Sequence, residues 1–431
     1  MKCMSLRAGW IGTVLVAGLL WTAAAEAAHH RPKPPPPPAI PLDEIHVLGD
    51  RPAPFALDAR SAMMIEAHSG EVLYAYHEHQ RIQPASLAKL MTYYITLDAL
   101  HAGRLSLDTP VTISEKAWRL SIDPTVSKMF LAVGQRVPVR ELLYGLMVSS
   151  GNDAAVALAE YEAGSTDAFV GLMNQYVAKL GLSETHFMSP DGLPEPDQYT
   201  TAADMVKLAA LLLENFPDAL TYTSPKQFTF DNITQRNWNT LLLYDSRVDG
   251  LKTGHVSEAG FHLVATAHQN DMRLISALLG TPNAEKRRTE TEKLLDWAFR
   301  TYVNYQPNLA GVAPSSLPVY EGRQSEVAIA PAHEVVITLP RGEDRGLALA
   351  ASLPASYLIA PVAAATTVGT ISISKGSATL LQIPLQTRGA VARAGFFGVL
   401  TGKIALFFHR LGHLIKVALW ASVSWLPFVH K

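Results

Sequence analysis

Three short strings hold the residues best suited to chemistry: Ser86-Leu87-Ala88-Lys89, Ser150-Gly151-Asn152 and Lys252-Thr253-Gly254. They supply a hydroxyl nucleophile, an amine able to take its proton, a second hydroxyl beside an amide, and a cation beside a third hydroxyl. Serine attacks poorly until a base removes its proton. A lysine one helical turn away does this if it is partly neutral. Burial lowers a lysine pKa, and so does a neighbouring cation, for which Lys252 is the candidate. Ser150 is suited to relay a proton to a leaving amine. Asn152 is suited to hold a substrate amide and to contact Lys89. Lys252 and Thr253 suit a terminal carboxylate. The backbone amides of His255 and Ser86 are candidates for an oxyanion hole.

Alone, each string is weak. An S-x-x-K pattern arises about once by chance in a chain of this length, and this chain holds a second one, Ser372-Ile373-Ser374-Lys375. Local structure chooses between them. Leu87 to Leu100 is helical in composition, so Ser86 and Lys89 share a face. Ser372 to Lys375 lies in a strand-like run, where positions i and i+3 point to opposite faces. Ser150 falls inside a helical stretch, Val139 to Tyr161, which Gly151 is expected to break. Lys252 to Gly254 precedes the strand-like Phe261 to Ala267. The K-T-G is placed on a strand that receives an extended peptide by backbone pairing. Ala62 to Glu66 and Glu71 to Ala75 flank Ser69-Gly70 as a hairpin. Asp167 to Leu180, ending at Gly181, and Arg287 to Tyr302 read as helices.

With these stretches on the page, the chain resembles the serine-type D-alanyl-D-alanine carboxypeptidases, low-molecular-mass penicillin-binding proteins of the penicillin-binding-protein-5 kind. The matching stretches are Pro84 to Thr92, Ser149 to Ala154, Thr185-His186-Phe187 with Asp191-Gly192-Leu193, Asp249 to His255, and Ala394 to Gly398. The resemblance implies an α/β (α+β) β-lactamase/transpeptidase-like domain, then a small all-β domain, then a C-terminal amphipathic helix. It implies catalytic roles for Ser86, Lys89, Ser150 and Asn152. It implies substrate-binding roles for Lys252, Thr253, Gly254, His255 and Arg287, the last near the substrate carboxylate. It implies no cofactor and no metal. Val256 departs from the family, which often has Thr after K-T-G-H, and Ala88 replaces a frequent Thr. The expected reaction is removal of the terminal D-alanine from peptidoglycan stem peptides through an acyl-Ser86 intermediate, with β-lactams as covalent inhibitors. The alternatives are a D,D-endopeptidase, a class A β-lactamase, and an idle cell-wall binding protein. The β-lactamase reading lacks an E-x-x-L-N between Asn152 and Lys252.

The remaining sequence sets the surroundings. The chain has 431 residues and is 48% hydrophobic, enough for more than one core. A net charge of −2 implies no general affinity for nucleic acid. Lys2 and Arg7, the apolar Gly9 to Trp21 and the Ala-rich 23–28 read as a secretory signal, residues 1–27. The single cysteine, Cys3, lies in it, which leaves no thiol in the mature chain. Residues 28–43 with Pro34 to Pro38 read as an extended linker. Residues 44–305 are then the catalytic domain, 306–389 a β-rich domain and 390–431 an anchor. Within the β-rich part, 326–330, 334–339, 368–373 and 379–383 look like short strands. No acid follows Asp344. On a helix from Phe396 to Trp420, the residues Phe397, Leu400, Ile404, Phe407, Phe408, Leu411, Leu414 and Ile415 share one face. Lys403, Arg410, His413 and Lys416 take the other, with Leu406 and Val417 as exceptions. This pattern suits a helix lying in the membrane plane against anionic lipid, and the family resemblance implies inner-membrane lipid, met through residues 396–428 on the periplasmic side.

Overall fold

The computed structural model describes residues 55–423. For His413, Leu414 and 416–423 it describes the backbone alone. The segments read as signal and linker (1–43), together with 44–54 and 424–431, lie outside the described residues.

Five antiparallel strands form the sheet that carries the site: β1 (Ser61–Glu66), β2 (Val72–Tyr76), β3 (Val248–Val256), β4 (Gly260–Gln269) and β5 (Met272–Thr281). Their spatial order is β2-β1-β5-β4-β3, so β3, which holds the K-T-G, is an edge strand. Side-chain alternation sends the strands into two cores. Met63, Ile65, Val264 and Ala277 face a large helical cluster that includes Leu87, Leu90 and Leu146. Ala62, Met64, Leu263, Ala265 and Leu278 face Leu294, Leu295 and Ala298 of the helix Ala284–Thr301. Asn283 caps that helix by accepting from the Lys286 amide, as Thr201 and Ser165 cap two others.

The helical side is built around α1 (Lys89–His101), α2 (Val139–Met147) and α3 (Asn152–Ala163). The expected break near Gly151 separates α2 from α3. The hairpin over Ser69-Gly70 is present, with Met63 opposite Ala75.

Beyond the catalytic part, six strands form a second sheet. Glu326–Pro331, Thr367–Lys375 and Ala378–Thr387 match strand-like runs of the sequence. The 334–339 run is a strand only from Ile337 to Pro340, and it pairs with Tyr302–Tyr305 in a separate two-stranded sheet. Ser316–Tyr320 and Leu347–Ser352 are further strands of the six. The latter is Leu/Ala-rich, a composition with weak intrinsic β preference. Its pairing along Thr367–Lys375 makes it a strand.

The last helix runs Phe396–Val423. It meets the β-rich part along a narrow stripe. Leu406 is buried, His409 packs against the rings of Tyr320 and Tyr357, and Arg410 Nε donates to Tyr357 OH at 3.1 Å. Leu406, the exception to the amphipathic pattern, is therefore the docking residue. Phe397, Leu400, Ile404, Phe407, Phe408, Leu411 and Ile415 stay exposed. Among the described residues no helix is long and apolar enough to cross a membrane.

Candidate active site

Ser86 lies in a 3-10 turn, Ala85–Ala88, that leads directly into α1. Leu87, Ala88 and Leu90 are fully buried and pin the turn, while Ser86 itself is partly exposed. Lys89, one turn on, is completely buried. Its Nζ donates to Ser86 Oγ at 2.9 Å, to Asn152 Oδ1 at 2.5 Å and to the Asp191 carbonyl at 2.7 Å. All three ammonium donors are thus used.

Burial lowers the Lys89 pKa to about 8, opposed by the charges of Asp191 and then Asp153. Of the two causes the sequence offered, burial is the one that acts on Lys89. Loss of water, rather than the Lys252 cation, brings Lys89 down. Lys252 in turn is pushed well below the usual lysine range by burial first, then by Lys89, then by Arg287.

The corner between α2 and α3 places the second string. Ser150 has φ of 56°, in the left-handed region that a serine occupies only when held there. Ser127 Oγ donates to the Ser150 carbonyl at 2.7 Å, and the Asn152 amide donates to the Ser127 carbonyl at 2.9 Å. Buried Asp153 accepts from Ser121 Oγ and the Met129 amide. These bonds turn Ser150 Oγ toward β3, where Lys252 Nζ donates to it at 2.9 Å. Ala85, just before the nucleophile candidate, also has positive φ, 49°. Two strained backbones therefore flank the cleft.

Glycines let the backbones meet. A Cβ on Gly192 would lie 1.8 Å from the Ala85 carbonyl oxygen, and one on Gly254 would lie 3.1 Å from that of Pro84. The Ser86 turn is thereby wedged between the Asp191-Gly192 loop and the K-T-G strand. Thr253 is buried beside Lys252. His255 is exposed and stacks on Phe261, centroids 3.9 Å apart. Arg287 lies nearby, buried, with Nη2 donating to the Trp238 carbonyl at 3.0 Å, and burial lowers its pKa to about 10. Among the described residues no carboxylate stands within ion-pair distance of Lys89, Lys252 or Arg287. Arg287, charged and buried without a counter-ion, suits an anion from a ligand.

The structure thus brings Ser86, Lys89, Ser150, Asn152, Lys252 and Gly254 into one cleft and sets Arg287 close enough to act on the Lys252 charge. It sends Ser372 and Lys375 elsewhere. Residues that the sequence did not single out include Asp191 as an acceptor, Ser127 as the brace of Ser150, and His262. The His262 ring accepts from the Gly280 amide at 2.9 Å and donates to the Gln83 carbonyl at 3.1 Å. None carries a motif of its own, although Asp191 lies within one of the stretches that carry the family resemblance.

Residues 49–283 match the family described as D-alanyl-D-alanine carboxypeptidase, and 304–393 match the penicillin-binding protein 5 C-terminal domain. The chain is 39% identical over 371 residues to the D-alanyl-D-alanine carboxypeptidase DacA of Escherichia coli, covering 85% of this chain and 92% of that one. The structure of penicillin-binding protein 5 from Haemophilus influenzae superposes with a TM-score of 0.72 at 37% identity, over 79% of this chain and 99% of that one. Penicillin-binding protein D2 from Listeria monocytogenes, in its cefotaxime-bound form, superposes with a TM-score of 0.53 at 32% identity, over 58% of this chain and all of that one. The chain belongs to the D-alanyl-D-alanine carboxypeptidase family of serine peptidases.

Proposed function

We propose that this carboxypeptidase removes the terminal D-alanine of peptidoglycan stem peptides through an ester on Ser86, and that β-lactams acylate the same oxygen. One observation carries the reading: Lys89 Nζ, buried and brought near neutrality, sits 2.9 Å from Ser86 Oγ. The peptide lies along the edge strand β3, extending the sheet. Its terminal carboxylate meets the Arg287 guanidinium, the Thr253 hydroxyl and Lys252, which the carboxylate favours in its protonated form. Neutral Lys89 takes the Ser86 proton as Oγ attacks the penultimate carbonyl carbon. The amides of Ser86 and His255 receive the carbonyl oxygen as it gains charge. The C–N bond breaks, and the proton that Lys89 took passes to the departing amine through Ser150 Oγ, which Lys252 contacts, so that Lys89 is neutral again. Water then cleaves the ester, with Lys89 accepting the water proton and returning it to Ser86 Oγ as the acyl–oxygen bond breaks. Asn152 holds both Lys89 and the substrate amide.

The test pairs labelling with turnover. The purified protein is incubated with a fluorescent penicillin, a peptide ending in D-Ala-D-Ala and a cross-linked muropeptide. Label on Ser86 with D-alanine release from the linear peptide supports the reading. Cleavage of the cross-link alone would replace it with an endopeptidase, and label without release would leave an acyl-enzyme that does not turn over.

The helix from Phe396 anchors the protein to anionic lipid at the outer face of the inner membrane. Its exposed apolar face supports this, with burial worth about 25 cal/mol per Å². Lys403, Arg410 and Lys416 add about 1 kcal/mol each near an anionic surface. The same reading divides the chain into a catalytic part, 44–305, a β-rich part, 306–389, and an anchor, 390–431. Truncation after residue 390 is expected to abolish sedimentation with anionic vesicles and to leave soluble carboxypeptidase activity intact. A truncated protein that still sediments would remove the helix from this role.

A further inference from the structure

Trp238 is a large aromatic with 55% of its surface exposed, held beside the cleft by three separate ties. Its indole Nε1 donates to the Ser149 carbonyl at 3.2 Å, one residue before Ser150. Its own carbonyl accepts from Arg287. On either side stand Asn237 and Asn239, both buried. Asn237 Nδ2 donates to the Thr223 and Pro225 carbonyls, and Asn239 Nδ2 donates to the Gly250 carbonyl on β3. The segment is thus clamped to the Ser150 corner, to the K-T-G strand and to the arginine. An aromatic ring this firmly positioned and still open to solvent loses little freedom when a ligand covers it.

The indole bond to the Ser149 carbonyl sets the ring beside the Ser150 corner, and the backbone bond holds the same residue next to Arg287. Ser150 serves the leaving amine and Arg287 the terminal carboxylate, so the indole borders the group that joins these two, the C-terminal residue that departs on acylation. We propose that Trp238 is the apolar wall of the leaving-group subsite and selects a C-terminal residue with a small apolar side chain, D-alanine over glycine. The inference rests on the site reading given above.

The step it affects is acylation. Once the C–N bond has broken, the departing residue is gone and the ring has nothing of it to contact. Deacylation of the same acyl-enzyme is therefore expected to be unchanged by Trp238 substitutions. The experiment compares peptides ending in D-Ala-D-Ala and D-Ala-Gly with the wild type, Trp238→Ala and Trp238→Phe, measuring kcat/KM for acylation and the single-turnover deacylation rate. Covering one methyl group is worth about fourfold in kcat/KM. Trp238→Ala is expected to lose about that factor in its preference for D-alanine over glycine. Trp238→Phe keeps a ring without the indole donor and is expected to retain most of the preference. The bond to Arg287 comes from the backbone and survives both changes.

Equal losses on the two peptides, or a changed deacylation rate, would show a merely structural role and overturn the proposal. Failure of the wider reading looks different: the wild type itself would release no D-alanine and take no penicillin label.

Discussion

Ser86-x-x-Lys89 and Ser372-x-x-Lys375 have the same spacing in the same chain, and their surroundings have little in common. The first spans a 3-10 turn and the start of α1, which puts Nζ within 2.9 Å of Oγ. The second ends the strand Thr367–Lys375, where Lys375 turns to the Glu343 carbonyl at 2.9 Å and its carboxylate at 3.3 Å. Lys89 has lost its water and has only neutral acceptors on its ammonium, so its proton is easily given up. Lys375 remains partly in solvent with an acid to hold its charge. Spacing brings a base to a nucleophile only where the backbone period agrees, and burial without a counter-ion then tunes it.

Removing each serine breaks the comparison most sharply. Ser86→Ala is expected to abolish penicillin labelling and to reduce D-alanine release by a factor on the order of a thousand or more. Ser372→Ala is expected to change neither. Label that survives in Ser86→Ala, or that moves to Ser372, would reverse the assignment. Mass spectrometry of the labelled peptide decides it.

The pH profile is the next test. Only neutral Lys89 can accept the Ser86 proton. Below its pKa of about 8 the neutral fraction grows tenfold per pH unit, and above it the fraction saturates. Acylation by a penicillin is therefore expected to rise through pH 7 and level off past about 8. Lys89→Ala should remove the rise along with the activity, and Lys375→Ala should leave the profile in place. A rate that falls with pH over this range would mean that Lys89 acts as an acid in the slow step.

The third test separates the two buried lysines of the cleft. Lys252→Ala removes a charge-assisted contact to the substrate carboxylate worth about 1.5–3 kcal/mol. A peptide with a free carboxylate should lose correspondingly in kcat/KM, and its C-terminal amide much less. Equal losses would move Lys252 from the carboxylate to the proton pathway through Ser150.

These residues also show what the sequence discloses. The choice of Ser86 over Ser372 follows from helical against strand periodicity, and the break at Gly151 from its low helix propensity. The extent of the Lys89 burial is hidden, because it depends on how completely α1, α3 and the Asp191 loop close over one amine. Trp238 is equally hidden. It has no motif, and its value comes from partners 89 and 49 positions away in the chain. Leu406 was an anomaly in the amphipathic pattern until its burial against the β-rich part gave it a role.

The smallest expected effect completes the comparison. Lys375 and Glu343 are each about a third or more exposed, at 35% and 42%, and solvent screens such a pair heavily. Exposed ion pairs contribute about 0–1 kcal/mol, because ordering two long side chains offsets most of the attraction. The bond from Lys375 to the Glu343 carbonyl adds a little, since water replaces it at modest cost once the amine is gone. Lys375→Ala is therefore expected to lower stability by no more than about 1 kcal/mol, read as a small shift in the urea midpoint of the β-rich part, with penicillin labelling at the wild-type rate. A loss above about 2 kcal/mol would show that this lysine is a buried anchor in solution and not a screened surface charge. A drop in labelling would couple the second string to the first, contrary to the separation that its strand geometry imposes.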